Sequence, residues 1–326
     1  MKKNNIIFIS TFILIFSLCS VPLFSDDLTS AISSSLEETT KSISNDTVEN
    51  TTQLNVCPDA YIGNFFPSVP PHFLIGLSAS GTFIDTGDLS DAVKSIISQM
   101  GGTNSIDFSL PGTLVLPAYS LNARIGGFFL PFDIGVFGSF ANVQNLNFTD
   151  YSASVNEFTF GADVRYAVLE GNIILPKISL GLGYIYTHQS FDFSVSKSYS
   201  GTYEGYTGSI DSSSSVGLTL NMNILYLQAQ ISKKLLFFVP YAGVREVLVS
   251  NNNSYEYSST VNANGTADSY GVSGDVSSNG FDFADLQTQL FAGIGFNALF
   301  TQFTANACWN PRTNLWSASL SSVFRM

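Results

Sequence analysis

The chain has 326 residues, of which only 12% are charged against 45% hydrophobic and 13% aromatic. A soluble globular chain of ordinary composition carries about twice that charged fraction. Yet beyond residue 25 no run approaches the roughly eighteen apolar residues that a membrane-crossing helix needs. Disorder is excluded by 28 Phe and 14 Tyr dispersed among the Ser, Thr, Asn and Gly, and a net charge of −12 offers no basic patch to nucleic acid.

Residues 1–25 open with Lys2 and Lys3, continue through a short apolar core from Ile6 to Leu18, and reach small residues at Ser20 and Ser25. This pattern predicts a secretory signal cleaved near Ser25. An uncleaved anchor helix is disfavoured because the apolar run is short for a span. Lipidation of Cys19 is the other alternative, against which stands Leu18, where lipoprotein signals carry a small side chain. Residues 26–70 read as a polar periplasmic tail, solvated and disordered apart from a short helix around Ile32–Ile43. Cleavage leaves Cys57 and Cys308, which the strand order sets at opposite rims, predicting two free thiols.

From residue 71 to 326 the dominant signal is a period of two. Leu77, Ala79 and Phe83 alternate with Ser78, Ser80 and Thr82; Tyr119, Leu121, Ala123 and Ile125 with Ser120, Asn122 and Arg124. Phe158, Phe160, Val164 and Tyr166 alternate with Thr159, Gly161, Asp163 and Arg165, and Leu180, Leu182, Tyr184 and Tyr186 with Ser179, Gly181, Gly183 and Thr187. Further on, Val216, Leu218, Leu220, Met222 and Ile224 oppose Gly217, Thr219, Asn221 and Asn223, and Leu290, Ile294 and Phe296 oppose Gln287, Gln289 and Asn297. Each strand thus has one apolar face suited to lipid and one small, polar face suited to a lumen. Tyr184, Tyr186, Tyr226, Tyr241, Trp309 and Trp316 fall near strand ends, where aromatic rings suit the membrane interface.

Strands are expected near 73–84, 118–129, 132–142, 155–168, 173–187, 214–230, 235–249, 285–299, 301–309 and 314–326. Short turns at Leu130–Pro131, Leu169–Asn172, Ser232–Lys234 and Phe300 alternate with longer connections, the order found in outer-membrane barrels. The fold class is therefore all-β: a transmembrane antiparallel up-and-down β-barrel of about ten strands, within a range of roughly eight to twelve. A soluble sandwich explains the alternation but not the ordered short and long connections. In the first long connection, Leu89, Val93, Ile96, Ile97 and Met100 form the apolar face of a helix that either enters the lumen as a constriction or rests on the rim. Residues 188–213 and 250–284, rich in Ser, Tyr, Asn and Gly, are expected to be extracellular loops or strand tips extended above the membrane.

On the signal, the strand pattern and the last strand, the chain resembles bacterial outer-membrane β-barrels. The closing segment, with Trp316, Leu320, Phe324 and Met326 on one face, is similar to the C-terminal signal by which such barrels are recognised by the barrel-assembly machinery, although Met326 stands last and Phe324 two places earlier. The lysine-poor, Asn- and Ser-rich style, with Pro67, Pro70 and Pro71 ahead of the first strand, resembles barrels of spirochaetes of the treponeme kind. The resemblance implies a bacterial outer-membrane location, contact with outer-membrane lipid, and small solutes or host surface components as partners.

Candidate chemistry is sparse. With only His72 and His188, no metal cluster, cofactor site or catalytic triad is expected. His188 and Ser190 resemble the His-x-Ser pair of outer-membrane phospholipases, but the rest of that family's pattern is missing. The omptin proteases' Asp two places ahead of the histidine is replaced by Tyr186. Arg124, Asp163 and Arg165 are the sharper feature, three charges on the lumen face. They read either as a charged eyelet selecting solutes or as a salt bridge bracing a narrow lumen, and bracing is favoured. The function expected is a narrow pore for small solutes, without enzymatic activity. The alternatives are a non-conducting surface barrel whose loops bind partners and, last, a membrane-embedded lipid hydrolase.

Overall fold

The structure is a computed structural model, and it describes residues 26–63, 71–85, 113–127, 130–148, 151–172, 174–203, 206–263, 266–278 and 280–326. One helix, α1 (Asp26–Thr52), precedes β1 (His72–Asp85), β2 (Thr113–Gly126), β3 (Phe132–Phe148), β4 (Tyr151–Leu169), β5 (Lys177–Tyr203) and β6 (Tyr206–Ser232). These are followed by β7 (Phe238–Ala263), β8 (Thr266–Ser277), β9 (Gln287–Ala298), β10 (Thr301–Asn310) and β11 (Leu315–Arg325). The signal segment with Cys19, and the first-connection residues Leu89, Val93, Ile96, Ile97 and Met100, lie outside the described residues. No described helix is long and apolar enough to cross a membrane.

Every strand pairs antiparallel with its neighbours, and β1 returns to β11 from Leu74↔Arg325 to Phe83↔Trp316, so the sheet closes as a ten-stranded barrel. Closure removes the free edges that an open sheet would expose. Of the eleven strands, β8 stands outside the ring. β7 pairs with β9 over its first part, from Phe238↔Phe296 to Val247↔Gln287, and with β8 over its second, from Asn252↔Ser277 to Ala263↔Thr266.

The turns at one end are short, and left-handed residues make them tight: Gly127 at φ 79°, Gly171 at 72°, Leu236 at 56° and Leu299 at 55°. This is the periplasmic end of an outer-membrane barrel. At the other end β5 and β6 run for 27 residues and β7 for 26, more than twice the roughly 9–11 residues that a membrane strand requires. The segments expected as loops or strand tips at 188–213 and 250–284 are thus largely paired strand. The register β5–β6 holds unbroken from Lys177↔Ser232 to Tyr203↔Tyr206, so backbone hydrogen bonds are satisfied far above the bilayer.

Outward residues form a lipid-facing belt. Ile75, Leu77, Leu121, Ile134, Phe160, Leu182, Leu227, Ile294 and Leu320 are among the large apolar side chains left exposed. Aromatic pairs reinforce it, with Phe132 and Tyr166 at 5.1 Å between ring centroids, Phe238 and Phe296 at 5.5 Å, and Trp309 stacked on Trp316 at 5.8 Å. On β5 and β6 the belt ends where outward groups turn polar: Tyr184 Oη donates to Asn223 Oδ1 at 2.5 Å, and His188 Nδ1 meets Asn221 Oδ1 at 2.6 Å.

Two expectations about facing are corrected. On β6, Val216, Leu218, Leu220, Met222 and Ile224 are buried inside the barrel, not turned to lipid. The apolar set changes parity along this strand, because Leu227 and Ile231 nearer the short turns do face outward. Likewise Tyr226 and Tyr241 are buried in the lumen instead of anchoring the interface: the Arg245 guanidinium lies 5.1 Å from the Tyr226 ring centroid, and Tyr241 Oη donates to Asn306 Oδ1 at 3.0 Å.

Candidate functional site

The solvated tail expected over residues 26–70 is corrected for residues 26–63, which occupy the lumen. A helix is about 10–12 Å across with its side chains, and 27 residues at about 1.5 Å each reach about 40 Å. A ring wider than the roughly eight strands that side chains alone can fill accepts one such helix. The helix is Ser- and Thr-rich with no strong apolar stripe, which in isolation reads as solvated chain. Its partners are the polar and apolar groups of the barrel wall.

These partners set its direction. Ser33 Oγ is 2.8 Å from the Tyr255 hydroxyl on the long-hairpin side, and Asn253 Nδ2 donates to Ser44 Oγ at 3.1 Å. Deeper, Thr47 Oγ1 donates to Gln189 Oε1 at 3.2 Å, Asn310 Nδ2 donates to Glu49 Oε1, and Ser80 Oγ donates to the Asn50 carbonyl at 3.1 Å. Ile32, Leu36 and Val48 belong to one apolar cluster with the inward face of β6. The chain therefore enters from the extracellular mouth and descends, so the Asp26 end of α1 is at the outer side.

Below α1, residues 53–63 cross the periplasmic half of the lumen. Asn306 Nδ2 donates to Gln53 Oε1 at 2.7 Å, Ser120 Oγ to the Leu54 carbonyl at 3.1 Å, and Gln230 Nε2 to the Cys57 carbonyl at 2.8 Å. The Ala60 amide donates to Ser232 Oγ at 2.9 Å. Asp59 accepts from Lys177 Nζ at 3.1 Å and from Gln302 Nε2 at 3.0 Å. Burial pushes its carboxyl up, but Lys177 and Gln302 together hold it below the usual carboxylate range. Cys57 and Cys308 are both buried free thiols, and burial pushes the Cys57 thiol up.

The charged residues singled out in the sequence meet here, joined by one that was not. Arg124 and Arg165 share Asp133: Arg124 Nη1 is 2.6 Å from Asp133 Oδ1, and Arg165 reaches the same carboxylate through Nε and Nη2, each at 2.8 Å. Arg124 Nη2 also grips Asp163 at 2.8 and 2.9 Å, and Asn55 Nδ2 donates to the same Asp163. Arg165 Nη1 donates to the Asp59 carbonyl at 3.0 Å, and the Ile62 amide to Asp133 Oδ2 at 3.2 Å. The four charges are thus a buried lattice clasping the N-terminal segment. Asp133 was legible from its alternation with outward Phe132, Ile134 and Val136. Above the lattice, Arg245 donates to Gln228 Oε1 at 2.8 Å and to Gln289 Oε1 at 3.1 Å.

His188 and Ser190 lie on the outer face of β5. Nδ1 of the histidine is engaged by Asn221, and Ser190 Oγ donates to Asp192 Oδ2 at 3.4 Å, so neither bond links histidine to serine. Trp316, Leu320, Phe324 and Met326 are exposed along the outer face of the closing strand and its end, where the Met326 amide donates to the Phe73 carbonyl at 2.9 Å. Among the described residues no group of three metal-ligating side chains is present.

The closed ring with its lipid-facing belt defines a bacterial outer-membrane β-barrel. No protein-family model matches the chain, and no curated protein matches it. Among solved structures it is similar to the translocator domain of the autotransporter NalP from Neisseria meningitidis, at 11% identity over 92% of this chain and 98% of that one, with a TM-score of 0.38. It is similar also to a major outer membrane protein from Thermus thermophilus, at 9% identity over 78% and 99%, TM-score 0.34. The outer membrane protease OmpT from Escherichia coli gives 11% identity over 78% and 94%, TM-score 0.36. Likeness at this level is confined to the barrel fold.

Proposed function

We propose that the protein is a self-plugged barrel that works at the cell surface, binding a neighbouring or host component, and that it is not an open pore. The observation that carries this reading is the occupied lumen. Residues 26–63 fill it from the outer mouth to the short turns and bond to the wall at every level. The outward hairpins of β5, β6, β7 and β8, together with the Asp26 end of α1, are then the working surface. The plug braces the barrel, and Arg124, Asp163 and Arg165 act in that brace, not as a selectivity filter. No enzymatic step, metal or cofactor is needed by this reading, and nucleic acid is not a partner. The closing strand presents Trp316, Leu320, Phe324 and Met326 to the assembly machinery and to lipid. The spirochaete-like style adds only composition to this reading.

The test is single-channel conductance of folded residues 26–326 in a planar bilayer, with a gel shift reporting folding. Silence from folded protein, with discrete steps once residues 26–63 are deleted, is the expected result. Discrete, solute-permeable steps from the full mature chain would overturn it in favour of the narrow pore. A second arm scores binding of the folded protein to host or bacterial surface extracts before and after trimming the outward hairpins.

A further inference from the structure

The two ends of residues 26–326 lie on opposite sides of the membrane. The ring crosses it ten times, from His72 to Arg325, and an even number of crossings returns a chain to the periplasmic side where it began. Residues 26–63 add an eleventh crossing, and their wall partners descend in sequence order. Ser33 meets Tyr255 in the far part of β7, Thr47 meets Gln189 near the middle of β5, and the Leu54 carbonyl meets Ser120 near the middle of β2. Below them the Cys57 carbonyl accepts from Gln230, Asp59 accepts from Lys177, the first residue of β5, and the Ala60 amide donates to Ser232, the last residue of β6. An odd total leaves Asp26 outside while Met326, bonded to Phe73, stays at the periplasmic end.

A secretory signal of the kind expected in residues 1–25 delivers a chain to the periplasm, so Asp26 has to cross the outer membrane afterwards. A route through lipid is disfavoured. The helix carries Asp27, Glu37, Glu38, Lys41, Asp46 and Glu49, each unfavourable in the bilayer core, and no described helix is apolar enough to span it. The lumen is the polar path that remains. There the wall meets α1 through uncharged side chains, among them Tyr255, Asn253, Gln189, Asn310 and Ser80, whose bonds can be exchanged one for another as a chain moves. The segment is fastened at its periplasmic end instead, where Lys177 pairs with Asp59 at 3.1 Å and Arg165 Nη1 holds the Asp59 carbonyl at 3.0 Å.

We propose that the barrel exports its own N-terminal segment. The lumen is the route, the grip on residues 55–62 is the stop, and polypeptide joined ahead of α1 is carried to the cell surface. A lumen filled by one helix, about 10–12 Å across, admits extended or helical chain and no folded domain, so the exported class is unfolded polypeptide. Export rests on the direction of residues 26–63 and not on the surface-binding reading.

The test uses the full chain in the outer membrane of living cells, with a gel shift confirming that the barrel is folded. Ser30→Cys places a thiol near the outer end of α1 and Lys234→Cys places one in a short periplasmic turn, both at exposed positions, while the native Cys57 and Cys308 are buried. A membrane-impermeant maleimide should label Ser30→Cys as fully in intact cells as in permeabilised ones. The Lys234→Cys signal should be lost unless the outer membrane is opened. A second arm inserts a flexible Gly/Ser passenger of about fifty residues, carrying an epitope, between Asp27 and Leu28, and antibody should reach that epitope on intact cells. Labelling of Ser30→Cys only after permeabilisation overturns the proposal, and so does a folded barrel that keeps the epitope in the periplasm. Where the passenger stops the barrel folding, the thiol labelling decides alone. A folded barrel silent in the bilayer but with either of those two results would keep the plug and lose export, so the two readings fail separately.

Discussion

Asp133 is the keystone of the lumen, and Asp133→Ala tests whether the charge lattice braces barrel and plug together. The side chain is fully buried and accepts four hydrogen bonds: one from Arg124, two from Arg165 and one from the Ile62 amide. Its removal leaves two guanidinium groups buried with Asp163 as the one carboxylate still bonded to either. Stripping one partner from a buried, hydrogen-bonded ion pair costs about 3–5 kcal/mol, most of it the desolvation of the charge left behind. Because Arg124 keeps Asp163 and Arg165 keeps the Asp59 carbonyl, a value near the lower end, about 3 kcal/mol, is expected. The assay is reversible urea unfolding in lipid vesicles, followed by the fluorescence of Trp309 and Trp316. Combining Asp133→Ala with Arg165→Leu should cost well under the sum of the single changes, since the second removes a charge that the first has orphaned. A loss under about 1 kcal/mol, or strict additivity, would refute the bracing role.

Gly135 sits where any side chain would strike the lattice, since an added Cβ would lie 2.5 Å from Arg124 Nη2 and 2.5 Å from Asp163 Oδ1. Gly135→Ala should therefore cost about 1–3 kcal/mol in the same unfolding assay, against little for alanine at Gly217, whose nearest neighbour would be Asp192 Oδ1 at 3.3 Å. On β6, Leu220→Ala removes a fully buried side chain from the inward cluster and should cost about 2–5 kcal/mol; a negligible effect would return that face to the lipid side. Docking of α1 should depend on pH. The Asp46 carboxyl is pushed up to about 7 by burial and by Glu49, and Glu49 is pushed up by burial, so the folded state holds protons that the unfolded chain releases. That contribution is complete below an unfolded value near 3.8 and is lost as pH rises through about 7. Limited proteolysis of α1 should accordingly be faster at pH 8 than at pH 5, and Asp46→Asn should flatten the difference. Asp59 works in the opposite sense, its contribution being present above 3.8 and fading only as the pH falls through its lowered folded value.

How much of this protein was legible in its sequence follows from what a period of two can encode. Alternation separates one face of a strand from the other, so outward Leu121, Phe160, Leu182 and Ile294 and inward Asn122, Thr159, Ser179 and Gln289 follow from the residues alone. So do the ten-strand ring and the short turns, because a closed barrel in lipid must pair every backbone group. Alternation does not say what an apolar face touches. Lipid and a packed helix both reward burial of Leu218 and Met222, and only the tertiary structure decided that this part of β6 turns inward while Leu227 turns out. The plug was hidden for the converse reason. The short helix expected around Ile32–Ile43 lies within α1, but a helix rich in Ser, Thr and Asn carries no strong apolar stripe to show that it docks. Its order comes from partners such as Ser80, Gln189, Asn253 and Asn310, which lie between 30 and 261 residues away in sequence but adjacent across the lumen. The charges of Arg124, Asp163 and Arg165 could be placed on the lumen face from their parity. The convergence of Arg124 and Arg165 on Asp133, the pairing of Asp163 with Arg124, and the grip of this lattice on residues 55–62 required the registers of β2, β3 and β4 to bring them to one height.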